Sequence, residues 1–157
     1  MSAQTLAERR IVAADPAATT DLGRALSTAA RAGDLICLWG ELGAGKTHLA
    51  KAIGAGLGVT ETINSPSFIL MAEYAGRLPL FHIDLYRLGD VADVVAGGLI
   101  DDRQIAGVTL VEWPDRMAAI LPDARLDVLI DGAGDDPRTI TLRAGSPDFG
   151  RYLDAVA

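Results

Sequence analysis

Residues 40–47 carry the side chains with the clearest chemical purpose, because their sequence, GELGAGKT, matches the phosphate-loop pattern G-x-x-x-x-G-K-[ST]. Glycines let such a loop curl so that its backbone N–H groups face an anion at the start of a helix. Lys46 can reach the β- and γ-phosphates of a nucleotide, and the Thr47 hydroxyl can bind Mg²⁺. The pattern therefore predicts a nucleotide site that uses Mg²⁺.

The segments on either side of the loop are those that a phosphate loop requires. Residues 34–39 form an apolar run typical of a buried strand, and residues 48–57 have apolar side chains at near-helical spacing before Gly58. The alternative to a phosphate loop is an ordinary glycine-rich turn before a helix. The residues expected to bind the nucleotide are Glu41, Leu42, Gly43, Ala44, Gly45, Lys46, Thr47 and His48.

Two acidic residues follow apolar strands and could complete a magnesium site. Asp84 comes after residues 80–83, and Glu112 comes after residues 108–111. Open α/β sheets bind ligands at the carboxyl ends of their strands, so either acid could hold Mg²⁺ or orient the attacking water. Either could instead be a solvated carboxylate, and the spacing does not assign the two roles. Lys46, Asp84 and Glu112 are the candidate catalytic residues, and Thr47, Asp84 and Glu112 are the candidate metal ligands.

The remaining pattern predicts an α/β fold with a mainly parallel sheet flanked by helices. A strand at 8–13 precedes a helix that begins at Asp15 and Pro16 and closes at Gly33. Strands at 68–74 and 78–84 should form an antiparallel hairpin. The other expected elements are a weak helix at 91–102, a strand at 108–112, a helix at 114–120, antiparallel edge strands at 126–130 and 139–143, and a last helix at 147–156. This alternation indicates one P-loop NTPase domain over residues 1–157.

Composition and charge exclude several other classes of protein. Half of the 157 residues are hydrophobic, but no apolar run approaches the ~20 residues that span a bilayer, and the first residues lack an apolar signal core. The single cysteine, Cys37, fits a core position in a cytoplasmic protein. A net charge of −7 argues against tight binding of nucleic acid by this chain alone. Two histidines and one cysteine cannot build a zinc site.

Four motifs in the same order resemble the bacterial TsaE (YjeE) family. They are GELGAGKT at 40–47, NSPSF at 64–68, HIDLYRL at 82–88 and VEWP at 111–114. The resemblance covers about residues 21–130 and implies an ATPase that serves the synthesis of threonylcarbamoyladenosine in tRNA. It further implies that a TsaD-type transferase and its TsaB-type companion are the partners and that they hold the tRNA.

The resemblance also implies roles for the residues around the phosphates. Thr47 and Glu112 would be magnesium residues, and Asp84 would be a catalytic acid. Ser67 would belong to a switch-like loop, residues 65–67, near the γ-phosphate. Trp113 would sit beside the site.

On the base side, the resemblance implies that Thr19 and Arg138 flank the adenine.

The chain departs from the usual pattern of the family at His48, where the family often has threonine. The hydroxyl of Thr47, which would bind the metal, is retained. It departs again at residues 88–95, which lack the usual glutamate-rich helical pattern. This second departure concerns that helix and its contacts, and it leaves the nucleotide motifs intact.

Two other functions fit the same loop. A small-molecule kinase would use it for phosphate transfer, although the arginines that a kinase lid needs are scattered here. A non-catalytic module would use nucleotide binding to control assembly with a partner. A GTPase is excluded because no lysine follows Lys51 to supply an N-K-x-D element, and a transporter ATPase is excluded because an L-S-G-G-Q-like signature is missing.

Three further residues have both a functional and a structural interpretation. His82 is either part of the site or a hydrogen-bonded buried histidine. Arg87 either closes over the phosphates or forms a structural ion pair. Trp113 is either a rigid wall of the site or a packed aromatic residue.

Overall fold

The computed structural model describes residues 7–63, 71–86 and 102–156. Several predicted features lie outside these residues: the loop at 64–67 with Ser67, the start of the strand at 68–70, Arg87, and the weak helix at 91–101. The elements below are those of the described residues.

Seven strands within the described ranges form one sheet in the order β1-β7-β6-β2-β5-β4-β3. The strands are β1 (Glu8–Ala13), β2 (Leu35–Trp39), β3 (Met71–Tyr74), β4 (Leu80–Asp84), β5 (Val108–Glu112), β6 (Leu126–Asp131) and β7 (Arg138–Ala144). The four central strands, β6, β2, β5 and β4, are parallel. The outer pairs β1/β7, β6/β7 and β3/β4 are antiparallel. The predicted α/β fold, with its parallel centre and its antiparallel hairpin, is confirmed.

Three α-helices among the described residues complete the regular structure: α1 (Pro16–Ala29), α2 (Lys46–Gly56) and α3 (Gly150–Ala155). The side chain of Asp15 caps α1 by accepting a hydrogen bond from the backbone N–H of Ala18 at 2.9 Å, as the sequence predicts. Short 3-10 helices span Asp102–Ala106, Pro114–Ile120 and Pro147–Phe149. None of the described helices is both long and apolar enough to cross a membrane.

Three sequence-based predictions of elements need correction. Helix α1 ends at Ala29, and Gly33 instead lies in the turn before β2. The segment at 114–120 forms a 3-10 helix that is kinked at Met117. The late strands β6 and β7 pair antiparallel as predicted, but neither is an edge strand: β6 lies between β2 and β7, and β7 lies between β6 and β1. The edge on this side of the sheet is β1, in which every second side chain is exposed, whereas most of β6 is buried.

The main hydrophobic core lies between the helices and the face of the sheet that carries Ile36, Leu38 and Leu110. A smaller cluster on the opposite face includes Cys37 and Val111. Cys37 is fully buried, and burial raises the pKa of its thiol to about 12, so the predicted core role is confirmed.

Helices α1 and α2 pack closely through small residues. A Cβ placed on Gly23 of α1 would lie 2.4 Å from the Cβ of Ala52 in α2. A Cβ placed on Gly56 of α2 would lie 2.0 Å from the Oγ of Ser27 in α1. This close approach fixes α2, whose first residues belong to the phosphate loop.

We expect Gly23→Ala to lower the free energy of unfolding by about 1–3 kcal/mol, because the added methyl group overpacks the contact with Ala52. Gly150→Ala is the matched control, since its Cβ would contact nothing within 4 Å. Urea denaturation of both variants and the unchanged chain measures the difference. Equal loss of stability in the two variants would contradict this account of the helix packing.

Candidate functional site

The phosphate loop connects the end of β2 to the start of α2, as the sequence predicts. Gly43 and Gly45 have φ angles of +84° and +106°, which side chains with a Cβ rarely adopt. The N–H of Ala44 donates to the carbonyl of Glu41 at 3.0 Å and closes a turn within the loop. Gly45 is the N-cap of α2, and no described side chain caps it. The first N–H groups of α2 are therefore available to an anion.

Lys46 is buried and lies against the loop. Its Nζ donates to the carbonyl of Gly40 and to that of Glu41, the latter at 3.3 Å. The same atom lies 3.6 Å from the centroid of the Trp113 ring. Burial lowers the pKa of Lys46, and the surrounding carboxylates act in the opposite direction: Glu112, Asp115, Asp84 and Glu41.

Thr47, Glu112 and His82 form a chain of hydrogen bonds at the end of the loop, in which Glu112 and His82 are buried and Thr47 is half-buried. The Thr47 hydroxyl donates to Oε1 of Glu112 at 2.9 Å and lies 3.2 Å from Oε2. Nε2 of His82 lies 2.5 Å from Oε2 of Glu112, and because a carboxylate only accepts, the imidazole donates this bond. The side chains of His82 and Glu112 are 0% and 3% exposed. The chain of contacts fixes the Glu112 carboxylate from two sides.

Asp84 ends β4 directly beside Glu112, its partner in the parallel register of β4 and β5. It is half-buried, and its Oδ1 accepts a hydrogen bond from the N–H of Tyr86 at 3.0 Å. The structure thus brings Lys46, Thr47, Asp84 and Glu112 to one end of the sheet.

On the other side of the loop, a cavity of about 290 Å³ lies between the loop and the start of α1. Its walls include both residues that were expected to flank the base, Thr19 and Arg138, together with Ala44, Gly45 and His48. His48 contacts α1: its Nε2 lies 3.0 Å from Oγ1 of Thr20 and 3.1 Å from the carbonyl of Pro16. His48 therefore connects α2 to α1.

Glu41 and Leu42 form the exposed tip of the loop, and Leu42 is 70% exposed. Ser67 and Arg87, also expected near the phosphates, lie outside the described residues. The predicted site residues in the described ranges therefore form three groups. One group lies near Lys46 and Glu112, one lines the cavity beside Thr19 and Arg138, and one forms the exposed tip of the loop.

Trp113 has an unusual backbone conformation that the sequence did not predict. Its φ of +59° is in the left-handed region, and it is followed by Pro114, the first residue of a 3-10 helix. Such a conformation costs about 1–3 kcal/mol in a residue other than glycine. Its ring contacts the Tyr86 ring at 4.9 Å between centroids and packs over Lys46, which supports the interpretation of Trp113 as a wall of the site.

Two features of the site were not recognised from the sequence. One is the direct bond from His82 to Glu112; its signal is the placement of His82 two residues before Asp84 on the same strand face. The other is a contact of Arg138 with the loop carbonyls, at 2.9 Å from Nε to the oxygen of Ala44. No local pattern could have revealed a contact between residues this far apart in the chain.

Comparisons with known proteins agree with the motifs. The family model for "Threonylcarbamoyl adenosine biosynthesis protein TsaE" matches residues 13–140. The tRNA threonylcarbamoyladenosine biosynthesis protein TsaE of Bacillus subtilis is 41% identical over 131 residues, which cover 83% of this chain and 82% of that protein. The protein of the same name from Treponema pallidum is 39% identical over 110 residues, or 70% of this chain and 82% of that one.

A solved structure also matches over most of its length. The crystal structure of YdiB from Bacillus subtilis aligns with a TM-score of 0.79 and 31% sequence identity, covering 97% of this chain and 95% of that chain. The resemblance inferred from the four motifs is confirmed. By sequence and by fold, this chain belongs to the TsaE family of threonylcarbamoyl adenosine biosynthesis proteins.

Proposed function

We propose that this chain is a Mg²⁺-dependent ATPase that serves the formation of threonylcarbamoyladenosine in tRNA. The observation that carries the proposal is the bond from the Thr47 hydroxyl to the Glu112 carboxylate, at 2.9 Å, at the first turn of the helix that follows the phosphate loop. Phosphate-loop enzymes hold Mg²⁺ with such a hydroxyl and such an acid. The relatives named above carry tRNA threonylcarbamoyladenosine biosynthesis in their names.

The residues present are chemically suited to Mg²⁺ and a nucleotide triphosphate. Mg²⁺ prefers oxygen ligands and keeps several waters, and this end of the sheet offers the Thr47 hydroxyl with the carboxylates of Glu112 and Asp84. Positive φ angles at Gly43 and Gly45 suit a loop that surrounds phosphates. When bound, Mg²⁺ neutralises charge on the β- and γ-phosphate oxygens.

The two acids differ in their surroundings, and this difference supports different roles. Glu112 is buried and bonded to Thr47, so we assign it to the metal and its waters. Asp84 lies next to it but is half-buried and reaches solvent, so we assign it to the water that attacks the γ-phosphate. His82 holds the Glu112 carboxylate in place through the bond from its Nε2.

The partners that fit this function are a TsaD-type transferase and its TsaB-type companion. With a net charge of −7, the chain repels the tRNA backbone, so the other subunits would hold the tRNA. ATP hydrolysis by this chain would then reset the transferase between cycles. Because tRNA is modified inside the cell, the proposal requires a location in the cytoplasm.

Lys46→Ala should raise the Kd for Mg²⁺-ATP at least about tenfold while the fold survives, because the ammonium group serves the phosphates. Lys51→Ala removes an exposed lysine from the same helix and is the matched control. Isothermal calorimetry gives the Kd, and circular dichroism checks the fold. An unchanged affinity in a folded Lys46→Ala variant would overturn the assignment of the phosphate loop.

Asp84→Asn and Glu112→Gln should each lower ATP turnover by about 10²-fold and change ATP affinity much less, because charge and positioning act on the transition state. Asp115→Asn is the control. Asp115 is exposed and lies near Lys46, so its substitution removes one negative charge from the same region without a change at Thr47. Turnover is measured with a TsaD–TsaB pair present. Normal hydrolysis by either variant would refute the role given to that acid.

Depletion of this protein should lower the threonylcarbamoyladenosine content of cellular tRNA, and a TsaD–TsaB pair should stimulate its slow ATPase activity. Mass spectrometry of tRNA nucleosides measures the first effect, with re-expression of the unchanged chain as the control. A normal nucleoside level in cells without a second enzyme of this kind would favour a small-molecule kinase. Nucleotide-dependent binding to the pair without any hydrolysis would favour a non-catalytic module.

A further inference from the structure

Arg138, the first residue of β7, contacts the phosphate loop on the side opposite to Asp84 and Glu112. Its Nε donates to the carbonyl of Ala44 at 2.9 Å, and its Nη2 lies 3.5 Å from the carbonyl of Gly43. Nη2 also donates to the carbonyl of Gly134 at 2.9 Å, and Nη1 donates to that of Asp136. All three nitrogen atoms of the guanidinium thus bind backbone carbonyls, on the loop and on the turn between β6 and β7.

The backbone around Arg138 is shaped to admit this side chain. A Cβ placed on Gly132 would lie 2.8 Å from Cδ of Arg138, so the arginine's aliphatic stem packs directly on this glycine. The loop itself packs on the end of β6, because a Cβ placed on Gly40 would lie 2.8 Å from the carbonyl oxygen of Ile130. The loop therefore packs on the end of β6, and the stem of Arg138 packs on the turn that follows β6.

The contact with Ala44 determines which way the next peptide group faces. In a planar trans peptide the C=O and the following N–H point in opposite directions. Because the Ala44 carbonyl faces Arg138, the N–H of Gly45 points away from it. Gly45 is the N-cap of α2, where free N–H groups bind an anion.

We propose that Arg138 is a positioning residue that fixes the phosphate loop in its anion-binding conformation, rather than a residue that recognises the base. The proposal rests on the ATP-binding function proposed above. The planar fork of arginine holds donors on three separate nitrogen atoms in a fixed geometry, whereas all the donors of a lysine ammonium lie on one nitrogen. Recognition of the base is left to the other walls of the cavity, such as Thr19 and His48.

The test compares Arg138→Met and Arg138→Lys with the unchanged chain. Arg143→Met is the matched control, because Arg143 lies on the same strand and pairs with Glu8 at 2.6 Å near the protein surface. Affinities for Mg²⁺-ATP, Mg²⁺-GTP and inorganic tripolyphosphate with Mg²⁺ are measured by competition against a fluorescent ATP analogue. Circular dichroism and thermal unfolding establish that each variant is folded.

We expect both Arg138 variants to lower the affinity for ATP and the affinity for tripolyphosphate by the same factor, about tenfold or more. The ratio of the ATP affinity to the GTP affinity should not change. Arg143→Met should bind all three like the unchanged chain. A loss of ATP affinity with normal tripolyphosphate binding would overturn the proposal and make Arg138 a base contact. Full affinity for ATP in Arg138→Lys would also overturn the proposal, because a positive charge alone would then suffice. Full affinity in Arg138→Met would overturn it because the contact would have no role. Failure of the unchanged chain to bind ATP would instead contradict the proposed function.

Discussion

The carboxylate of Glu112 is the group on which the geometry of the site depends. A buried carboxylate is costly unless hydrogen bonds satisfy it, and here the Thr47 hydroxyl and the His82 imidazole do so. These two side chains come from α2 and β4, while Glu112 ends β5. One carboxylate therefore joins the helix that follows the phosphate loop to the two strands that carry the acids.

The parallel centre of the sheet explains why these groups meet. Parallel strands present their carboxyl ends at the same edge, so β2 delivers the loop where β4 and β5 deliver Asp84 and Glu112. Helix α2 is held in place independently by its close contact with α1 at Gly23. Lys46 is enclosed by its own loop and by the strained Trp113, which limits the directions in which its ammonium can move.

Most of the fold, and which residues gather around the loop at 40–47, could be predicted from the sequence because each signal lies within a short segment. The spacing of the loop residues, the apolar run before them and the acids that end β4 and β5 each lie within one short segment. What could not be predicted depends on distant parts of the chain. The contact of Arg138 with Ala44 spans 94 residues, and only the strand order shows that β6 and β7 are internal and that β1 is an edge. The left-handed backbone of Trp113 has no sequence signal, since the residue before a proline normally favours extended conformations.

Locating the metal and the nucleotide in a crystal tests the proposed magnesium site most directly. Crystals grown with Mn²⁺ and a non-hydrolysable ATP analogue can be measured at the manganese absorption edge, where Mn²⁺ replaces Mg²⁺ and gives an anomalous signal. We expect one peak within bonding distance of Thr47 Oγ1, close to Glu112, with the triphosphate in the loop at 40–47. A nucleotide bound in that loop with the metal away from Thr47 and Glu112, or a nucleotide bound elsewhere, would contradict it.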